Sequence, residues 1–406
     1  MNRLALLTLA CAATAVAEHP TVDELLHGDV ITDYSPYEKT WADFKTKFGR
    51  QYASSEEESY RKQLFMDKVK GIEAHNKDYM NGKTTYWKDI NQFSDMTGEE
   101  FASYVHLEPN EPTPSRVKRQ QKGICTKYTV PSGSPPGSWD WREKGYVSRV
   151  KNQGNCGACY AFGTTGVIES RLRIQTQGKD KDTLSEQQLV DCFAKSCGGQ
   201  NREDVFDYIR RAGGIQSDTS YPYTSGSSGV AGTCKFNKNR VVARVTGCRY
   251  IARGDETAMK SAVYFNGPVT VGIYVGKGFY DYKGGVLTDP NCKNTSRGRH
   301  CLLVVGYGTR GGIPYWIAKN SWGTEKAESG YWLMRRGANT CGMAEVVNFP
   351  LVNSDSQGSS GGTGGTGGTG DTESTRSFAT ASSGKLLLVV CHCIFAVLIT
   401  SLTVLY

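Results

Sequence analysis

The stretch VKNQGNCGACYAFG, residues 150–163, contains two cysteines three positions apart, Cys156 and Cys159. Taken alone, a Cys-x-x-Cys pair fits a redox pair, half of a zinc site, or one structural cysteine beside one reactive cysteine. Small and apolar residues then repeat at helical spacing, at Ala161, Thr165, Ile168 and Leu172. This spacing predicts that Cys159 opens a helix, whose positive N-terminal end would favour a thiolate over a thiol.

A thiolate nucleophile needs a base, and histidine is a common one. The chain has six histidines, of which only His300 lies between Lys122 and Val352. Twenty residues later the run WIAKNSWG contains Asn320, which could hold a ring nitrogen, and Trp322, which could shield the ring. A lone histidine is also often an ordinary surface side chain, so His300 is a candidate base only together with these neighbours.

Local signals divide the rest of this region into helices followed by strands. Ser185 starts a capping box, and Asn201 caps another helix that Gly213 ends. Two later stretches, residues 268–273 and 302–306, are short, β-branched and bounded by turn residues, so we predict that they are strands. Helices first and strands later indicate an α+β domain in two parts.

Residues 35–105, which precede this region, are rich in charge and helix formers. Six of them fall on one face of a predicted helix, which begins with an i,i+4 charge pair: Glu57, Arg61, Phe65, Lys68, Ile72 and Asn76. The motif DINQFSD, residues 89–95, follows, and residues 97–100 are a helix-start signal. A polar, turn-rich stretch with the basic run Arg116–Arg119 then predicts a cleavable linker.

Both ends of the chain are expected to be targeting segments rather than parts of a fold. Residues 1–17 have an early arginine, an apolar run and an Ala-x-Ala cleavage signal, which predicts a secretory signal peptide. Secretion would permit disulfides among the 13 cysteines. Residues 353–385 form a flexible Gly/Ser/Thr-rich linker, and residues 386–406 are a charge-free apolar run about as long as a membrane span. We expect a lipid-anchor signal with attachment at Gly370 or Ser374, and a single membrane span is the alternative.

Composition and spacing make nucleic acids and metal ions unexpected partners. The net charge of +8 is modest for 406 residues, and no compact Lys/Arg stripe is interleaved with aromatic residues. No second Cys/His pair stands at ligand spacing from Cys156 and Cys159, which weighs against a zinc site.

These motifs together resemble a papain-like, cathepsin L-like cysteine protease, and they do so across nearly all of residues 35–350. The run QGNCGAC, residues 153–159, resembles the family's nucleophile loop. His300 resembles its base, and Asn320, at the start of Asn-Ser-Trp-Gly, resembles its orienting asparagine. The resemblance implies an α+β, two-lobed domain, with a helical left lobe and a β-barrel-like right lobe.

The N-terminal residues resemble the inhibitory prosegment of the same family. The helical face over residues 57–76 resembles its signature, with Lys68 in place of an Asn. Residues 89–95 resemble its second motif, which here begins with Asp where Gly is usual. The resemblance therefore implies an inactive precursor, with a helical prosegment over residues 18–119 and a peptidase domain over residues 120–352.

The resemblance also implies four catalytic roles. Cys159 would attack a peptide carbonyl, and His300 would act as acid and base. Asn320 would orient the imidazole, and Gln153 would donate a hydrogen bond to the oxyanion. No cofactor or metal is expected. The expected partners are protein and peptide substrates, the chain's own prosegment and, through the tail, a membrane, and we expect a monomer.

The disulfide pairs that the resemblance implies are Cys156–Cys197, Cys192–Cys234 and Cys292–Cys341. With Cys159 as nucleophile, three cysteines of the central region remain, Cys125, Cys248 and Cys301. Because their number is odd, at least one stays outside intramolecular disulfides. We expect that Cys301, which follows the base into a strand, remains a thiol and that Cys125 pairs with Cys248.

The resemblance places ten residues along the substrate cleft: Gly157, Gly199, Gln200, Asn201, Arg202, Gly272, Gly298, Cys301, Trp322 and Val346. One pocket binds the side chain of the second substrate residue before the cleaved bond. We expect Leu, Val or Phe there, because Gly272 and Gly298 leave room and Val346 gives an apolar floor. Arg202 could admit an acidic or polar group, but its simplest interpretation is a solvated residue that points away. Gln200, where the family has Gly, could narrow the cleft.

Two further departures from the family lie near the nucleophile and the base. Tyr160 stands where the family has Trp and keeps a large aromatic ring there. Lys326 replaces a second Trp and weakens an apolar wall on the leaving-group side. Because neither replaces a catalytic residue, we expect an active enzyme rather than a catalytically dead binding scaffold. A thioredoxin-like oxidoreductase is the other alternative, and it would leave His300 without a role.

The sequence thus predicts a secreted or membrane-anchored cysteine endopeptidase that is made as an inactive precursor. The secretory route leads to the cell surface or to an endolysosomal or vacuolar lumen. Asn294 begins an Asn-Thr-Ser acceptor motif, so we expect a glycoprotein.

Overall fold

The computed structural model describes residues 35–105, 124–296 and 298–354. We call residues 35–105 the N-terminal segment and residues 124–354 the main domain. The expected signal peptide, basic run and apolar tail lie outside the described residues. Within the described residues, no helix is long and apolar enough to cross a membrane.

The N-terminal segment consists of helices α1 (Ser35–Phe48), α2 (Ser55–Met80) and α3 (Gly98–Tyr104), with the strand β1 (Tyr86–Lys88) between the last two. Ser54 caps α2 by accepting a hydrogen bond from the N–H of Glu57, and Thr97 forms a capping box with Glu100 at the start of α3. Helices α1 and α2 pack together through an apolar core that includes Trp41, Phe44 and Phe65. The predicted helix and helix start are therefore present.

The main domain has helices α4 (Cys159–Gln175), α5 (Glu186–Gln188), α6 (Arg202–Ala212), α7 (Ser225–Ser228), α8 (Glu256–Asn266) and α9 (Lys277–Tyr280). Helix α4 begins at Cys159, as predicted, and is buried along most of its length. Ser185 and Asn201 cap α5 and α6. Helix α6 ends at Gly213, whose φ of 90° is in the left-handed region that glycine tolerates.

Two glycines allow α4 to lie close against the strands. A Cβ on Gly163 would lie 2.5 Å from Sγ of Cys301, and one on Gly166 would lie 3.1 Å from a methyl carbon of Leu303. Both distances are shorter than side-chain contacts normally allow. The small residues on this face of α4 therefore position the helix, and Cys159 with it, against the sheet.

The main domain's strands are β2 (Cys125–Lys127), β3 (Trp139–Asp140), β4 (Ile215–Gln216), β5 (Val241–Ile251), β6 (Val269–Tyr274), β7 (Tyr282–Gly285), β8 (Arg299–Arg310), β9 (Ile313–Lys319), β10 (Tyr331–Arg335) and β11 (Val347–Ser354). In the described part of the chain, most of them form one sheet with the order β10-β9-β8-β6-β11-β5-β2, in which β2 runs parallel to β5 and the other neighbours are antiparallel. The register of β6 on β8 places Gly272 opposite Cys301 and Ile273 opposite His300. Helices followed by strands confirm the predicted α+β class.

A separate two-stranded sheet joins the N-terminal segment to the main domain. Strand β1 pairs antiparallel with β7, with Trp87 opposite Gly284. The side chain of Asn76 on α2 binds the backbone N–H and carbonyl of Lys88, both at 2.9 Å. The helix that carries the predicted signature therefore holds β1 in position for this pairing.

Disulfides tie several loops of the main domain together. The described residues contain the disulfide bonds Cys125–Cys248, Cys156–Cys197, Cys192–Cys234 and Cys292–Cys341. The described cysteines Cys159 and Cys301 form no disulfide. Cys156 is bonded to Cys197 and not to Cys159. A redox reaction within the Cys-x-x-Cys pair is therefore disfavoured.

Candidate active site

Cys159 is the first residue of α4 and is buried. The preceding residue, Ala158, occupies the N-cap position and makes no side-chain hydrogen bond to the first turn. The positive end of the α4 dipole therefore lies at Cys159 without a capping side chain from this residue. Such a position stabilises negative charge on a sulfur atom.

His300 lies near the start of β8 and is also buried. Its Nε2 atom is 2.7 Å from Oδ1 of Asn320, which directly follows β9. The ring of Trp322 lies over the imidazole, with centroids 4.6 Å apart and planes tilted by 30°. The structure thus brings together the base, the orienting amide and the shielding ring that the sequence proposed.

The hydrogen bonds at Asn320 determine which nitrogen of His300 is basic. The Oδ1 atom of Asn320 also accepts the backbone N–H of Ser321 at 2.7 Å, which fits an oxygen and not an amide nitrogen. Because an amide oxygen only accepts, Nε2 of His300 must carry a proton. In the neutral ring Nδ1 is then the basic nitrogen, and among the described residues it has no hydrogen-bond partner.

Gln153 connects the loop before Cys159 to the residues around His300. Its side-chain nitrogen donates to the carbonyl of Cys156 at 2.9 Å, and its oxygen accepts from the hydroxyl of Ser321 at 2.6 Å. Ser321 in turn donates its backbone N–H to Asn320, which holds His300. A continuous chain of hydrogen bonds therefore fixes the two halves of the site relative to each other.

The N-terminal segment covers this site. Phe93 and Phe101 meet the ring of Trp322 edge-on, at centroid distances of 6.2 and 5.5 Å. The backbone carbonyl of Val105 lies 3.4 Å from the side-chain nitrogen of Gln153. Nearby, Lys68 forms an ion pair of 3.2 Å with Asp281 of the main domain.

Burial in the precursor changes the electrostatics of His300. Burial lowers the pKa of His300 to about 4, and the hydrogen bond to Asn320 opposes this shift. The covered imidazole is therefore neutral at pH 7. A neutral ring cannot form the ion pair that would hold Cys159 as a thiolate.

The expectation that Arg202 points away from the cleft is wrong. One terminal nitrogen of its guanidinium lies 3.3 Å from the carbonyl oxygen of Val346, and Nε lies 3.4 Å from Oδ1 of Asn348. A Cβ on Gly272 would lie 3.3 Å from the guanidinium. Because oxygens at the start of β11 offer hydrogen bonds, the side chain turns inward and occupies space that the glycine leaves.

The other predicted cleft residues lie on several elements. The N–H of Gly157 donates to the carbonyl of Cys197 at 2.8 Å, beside the disulfide that holds this loop. Gly199, Gln200 and Asn201 are half-buried between that loop and α6, and Gly298 lies just before β8. Cys301 faces α4 and lines a small cavity of about 20 Å³ under the site.

Sequence reasoning placed Lys326 on a wall of the cleft but did not predict that its side chain is buried. This side chain is buried, with 2% of its surface exposed, and its Nζ lies 4.0 Å from the ring centroid of Phe93. The replacement of an aromatic residue close in sequence to Trp322 drew attention to this position, but it does not report which way the lysine side chain turns. Within the described residues, no group of three or more His, Cys, Asp and Glu side chains could hold a metal ion.

Comparisons with known proteins agree with this geometry. Residues 135–351 match the papain family of cysteine proteases, and residues 41–101 match the cathepsin propeptide inhibitor domain. Digestive cysteine proteinase 1 of Homarus americanus is 41% identical over 321 residues, which cover 77% of this chain and 94% of that protein. Cathepsin S of Mus musculus is 39% identical over 80% of this chain and 93% of that protein. The solved structure of digestive procathepsin L2 from the larval midgut of Tenebrio molitor superposes with a TM-score of 0.70 at 38% identity, covering 77% of this chain and 99% of that one.

Proposed function

The chain belongs to the papain family of cysteine proteases and carries a cathepsin propeptide inhibitor domain, and from this premise we propose how its own residues cleave peptides. It is a cathepsin L-like endopeptidase made as an inactive precursor. We assign Cys159 as nucleophile and His300 as acid and base. Asn320 orients the imidazole, and Gln153 supplies a donor to the oxyanion. The N-terminal segment is the inhibitory prosegment.

In the trimmed enzyme, Nδ1 of His300 takes the thiol proton of Cys159, and the resulting thiolate lies at the positive end of α4. The sulfur attacks the carbonyl carbon of the peptide bond. The oxyanion accepts hydrogen bonds from the side chain of Gln153 and the backbone N–H of Cys159. His300 gives its proton to the leaving amine, which leaves an acyl-enzyme. The ring then takes a proton from the water that hydrolyses the thioester and returns it to the sulfur.

The observation that carries this proposal is the hydrogen-bond chain from the nucleophile loop to the base. It runs through Gln153, Ser321 and Asn320 to His300 and leaves Nδ1 as the basic nitrogen. A catalytically dead scaffold needs no such chain. The arrangement supports acyl transfer to a cysteine rather than a binding role alone.

Labelling with an epoxide inhibitor of thiol enzymes tests the assignment. The trimmed protein should take up one label, and Cys159→Ala should take up none. Cys301→Ala is the matched control, because Cys301 is the other cysteine of the described residues that forms no disulfide, and this variant should be labelled like the wild type. Labelling that persists in Cys159→Ala and is lost in Cys301→Ala would overturn the assignment of the nucleophile.

We propose that trimming removes residues 18–119 and that the basic run Arg116–Arg119 marks the cut. Four contacts between the N-terminal segment and the main domain support latency before the cut: Phe93 and Phe101 on Trp322, Val105 on Gln153, and Lys68 on Asp281. Purified precursor should cleave peptides far more slowly than the trimmed form. Equal rates, with no trimming during the assay, would exclude an inhibitory prosegment.

We also propose that the enzyme follows the secretory route and is attached to a membrane through residues 386–406. The signal-like residues 1–17 and the disulfides support secretion. Asn294 is exposed and suits glycosylation. Mass spectrometry of the mature termini is the test. Loss of the apolar tail together with release by a phospholipase would indicate a lipid anchor, whereas an intact tail would indicate a membrane span.

A further inference from the structure

A buried lysine, Lys326, lies under the prosegment. Only 2% of Lys326 is exposed, and among the described residues its Nζ makes no hydrogen bond. Its closest described ring contact is with Phe93, at 4.0 Å from the ring centroid. A cation–π contact offsets only part of the hydration that an ammonium group loses on burial. The burial of this amine in the precursor is therefore energetically unfavourable.

Most charges that act on Lys326 leave with the prosegment. Asp281 and Asp89 attract it, while Arg50 and Lys68 repel it, and of these only Asp281 belongs to the main domain. In the precursor the carboxylate of Asp281 is bound by Lys68 at 3.2 Å. Burial is the largest cause that lowers the pKa of Lys326 well below its ordinary value. When the prosegment is removed, Asp281 is therefore the one of these four charged residues that stays with Lys326, and it is a possible partner for the ammonium group.

Trp322 relates Lys326 to the reacting groups. Its ring lies on His300, at 4.6 Å, and Phe93 touches both Trp322 and Lys326. Because His300 protonates the leaving amine, the residues after the cleaved bond must pass this imidazole and the ring that lies on it. The space that Phe93 vacates, with Lys326 beside it, is therefore on the leaving-group side of the cleft.

We propose that Lys326 is a specificity-determining residue of the trimmed enzyme, whose ammonium binds the carboxylate of an Asp or Glu at the first or second position after the cleaved bond. The inference rests on the proposed function, because it takes His300 as the acid. A carboxylate supplies the charged acceptor that Lys326 lacks among the described residues of the precursor. Asp281 competes for the same ammonium once Lys68 has left.

Peptides that differ only after the cleaved bond test the proposal. Internally quenched peptides carry Glu, Gln or Lys at the first or at the second of these positions, and trimmed enzyme cleaves them at low ionic strength. For wild type, kcat/KM should be about fivefold higher with Glu than with Gln at one position, the effect of one partly exposed ion pair. The Lys peptide should be slower than both. Lys326→Gln should remove the difference, Lys326→Glu should reverse it, and Asp281→Asn should enlarge it.

Ratios within each variant cancel any general loss of activity, and the exposed Lys238 gives a control, Lys238→Gln, that should keep the wild-type ratios. If the Lys326 variants do not fold, raising the salt concentration for wild type should still reduce the preference for Glu. A peptide whose cleaved bond leads directly to a coumarin reporter checks the proposed function separately. Wild type that cleaves this peptide but treats Glu and Gln alike would overturn the role of Lys326 alone, whereas no cleavage of any peptide would overturn the proposed function.

Discussion

The backbone carbonyl oxygen of Val105 lies 3.4 Å from the side-chain nitrogen of Gln153. The prosegment thus occupies the amide that we assign to the oxyanion, while the hydrogen bond between His300 and Asn320 stays intact at 2.7 Å. This contact supports latency through occupation of a site whose hydrogen bonds are already in place. No catalytic group described here has to be rebuilt when the prosegment leaves.

Gln153→Ala should lower kcat of the trimmed enzyme by about 10²–10³-fold, because one oxyanion donor is lost. Alkylation of Cys159 by iodoacetamide forms no oxyanion, so its rate should change much less. Ser321→Ala is the matched control, since it removes only the donor to the oxygen of Gln153, and it should reduce kcat less. Wild-type kcat in Gln153→Ala would show that the amide plays no part.

Acidification should weaken the hold of the prosegment through His300. Burial lowers the pKa of the covered ring to about 4, against an ordinary value of 6.5. We expect release of the prosegment to expose the ring and to raise this pKa toward its ordinary value. The prosegment then binds the neutral ring more tightly, and this contribution is complete above about pH 6.5 and is lost as the pH falls toward about 4. In a Cys159→Ala precursor that is cut after Arg119, the dissociation constant of the prosegment should rise across this window.

The control for this pH dependence is the same cut precursor with His300→Gln added. Its remaining slope reports other groups such as Glu100 of the prosegment, whose pKa is lowered by the hydrogen bond from Arg61. The slope should be shallower than with the histidine present. Identical slopes would show that protonation of His300 is not coupled to prosegment release.

Lys68→Met should speed activation of the precursor up to about fivefold, because a partly exposed ion pair such as Lys68–Asp281 contributes at most about 1 kcal/mol. Asp281→Asn should have a similar effect, and the double variant should add little. Lys83→Met is the control, since it removes the exposed pair with Asp78 in the same segment. Fully additive effects of the two main variants would show that these side chains do not interact in solution.

Arg202→Leu should widen the range of side chains that the enzyme accepts at the second substrate position before the cleaved bond. Since the guanidinium fills space over Gly272, wild type should prefer Val or Leu to Phe there. A newly buried Phe contributes about 1.5–3 kcal/mol, so kcat/KM for a Phe peptide should rise relative to a Leu peptide. Arg210→Leu, on the exposed side of the same helix, is the control. A wild-type preference for Lys or Arg would show that another set of residues lines the pocket.

Features that depend on near neighbours could be predicted from the sequence. The caps at Thr97 and Asn201 involve side chains that bind backbone groups two or three residues away. The start of α4 at Cys159 follows from the spacing of the residues after it. His300 and Asn320 meet because β8 and β9 are adjacent antiparallel strands. The family resemblance implied the contact between these two residues.

Features that depend on distant contacts could not be predicted in this way. Arg202 would face water on an isolated helix, but oxygens at Val346 and Asn348 redirect it. The buried side chain of Lys326 lies over the ring of Phe93, a residue far earlier in the chain. No local pattern reports which way a long charged side chain turns, since several rotamers fit the same backbone.

The pairing of β1 with β7 has a consequence for the stability of stored enzyme. Once the prosegment has gone, β7 is left with bare backbone groups along one edge, a surface on which a second molecule could add a strand. This edge is only four residues long, and two of them are glycines. So short and weakly structured a strand is a poor template for pairing. Concentrated trimmed enzyme should therefore lose activity through autolysis sooner than through aggregation. A reversible thiol inhibitor should be sufficient to preserve the activity.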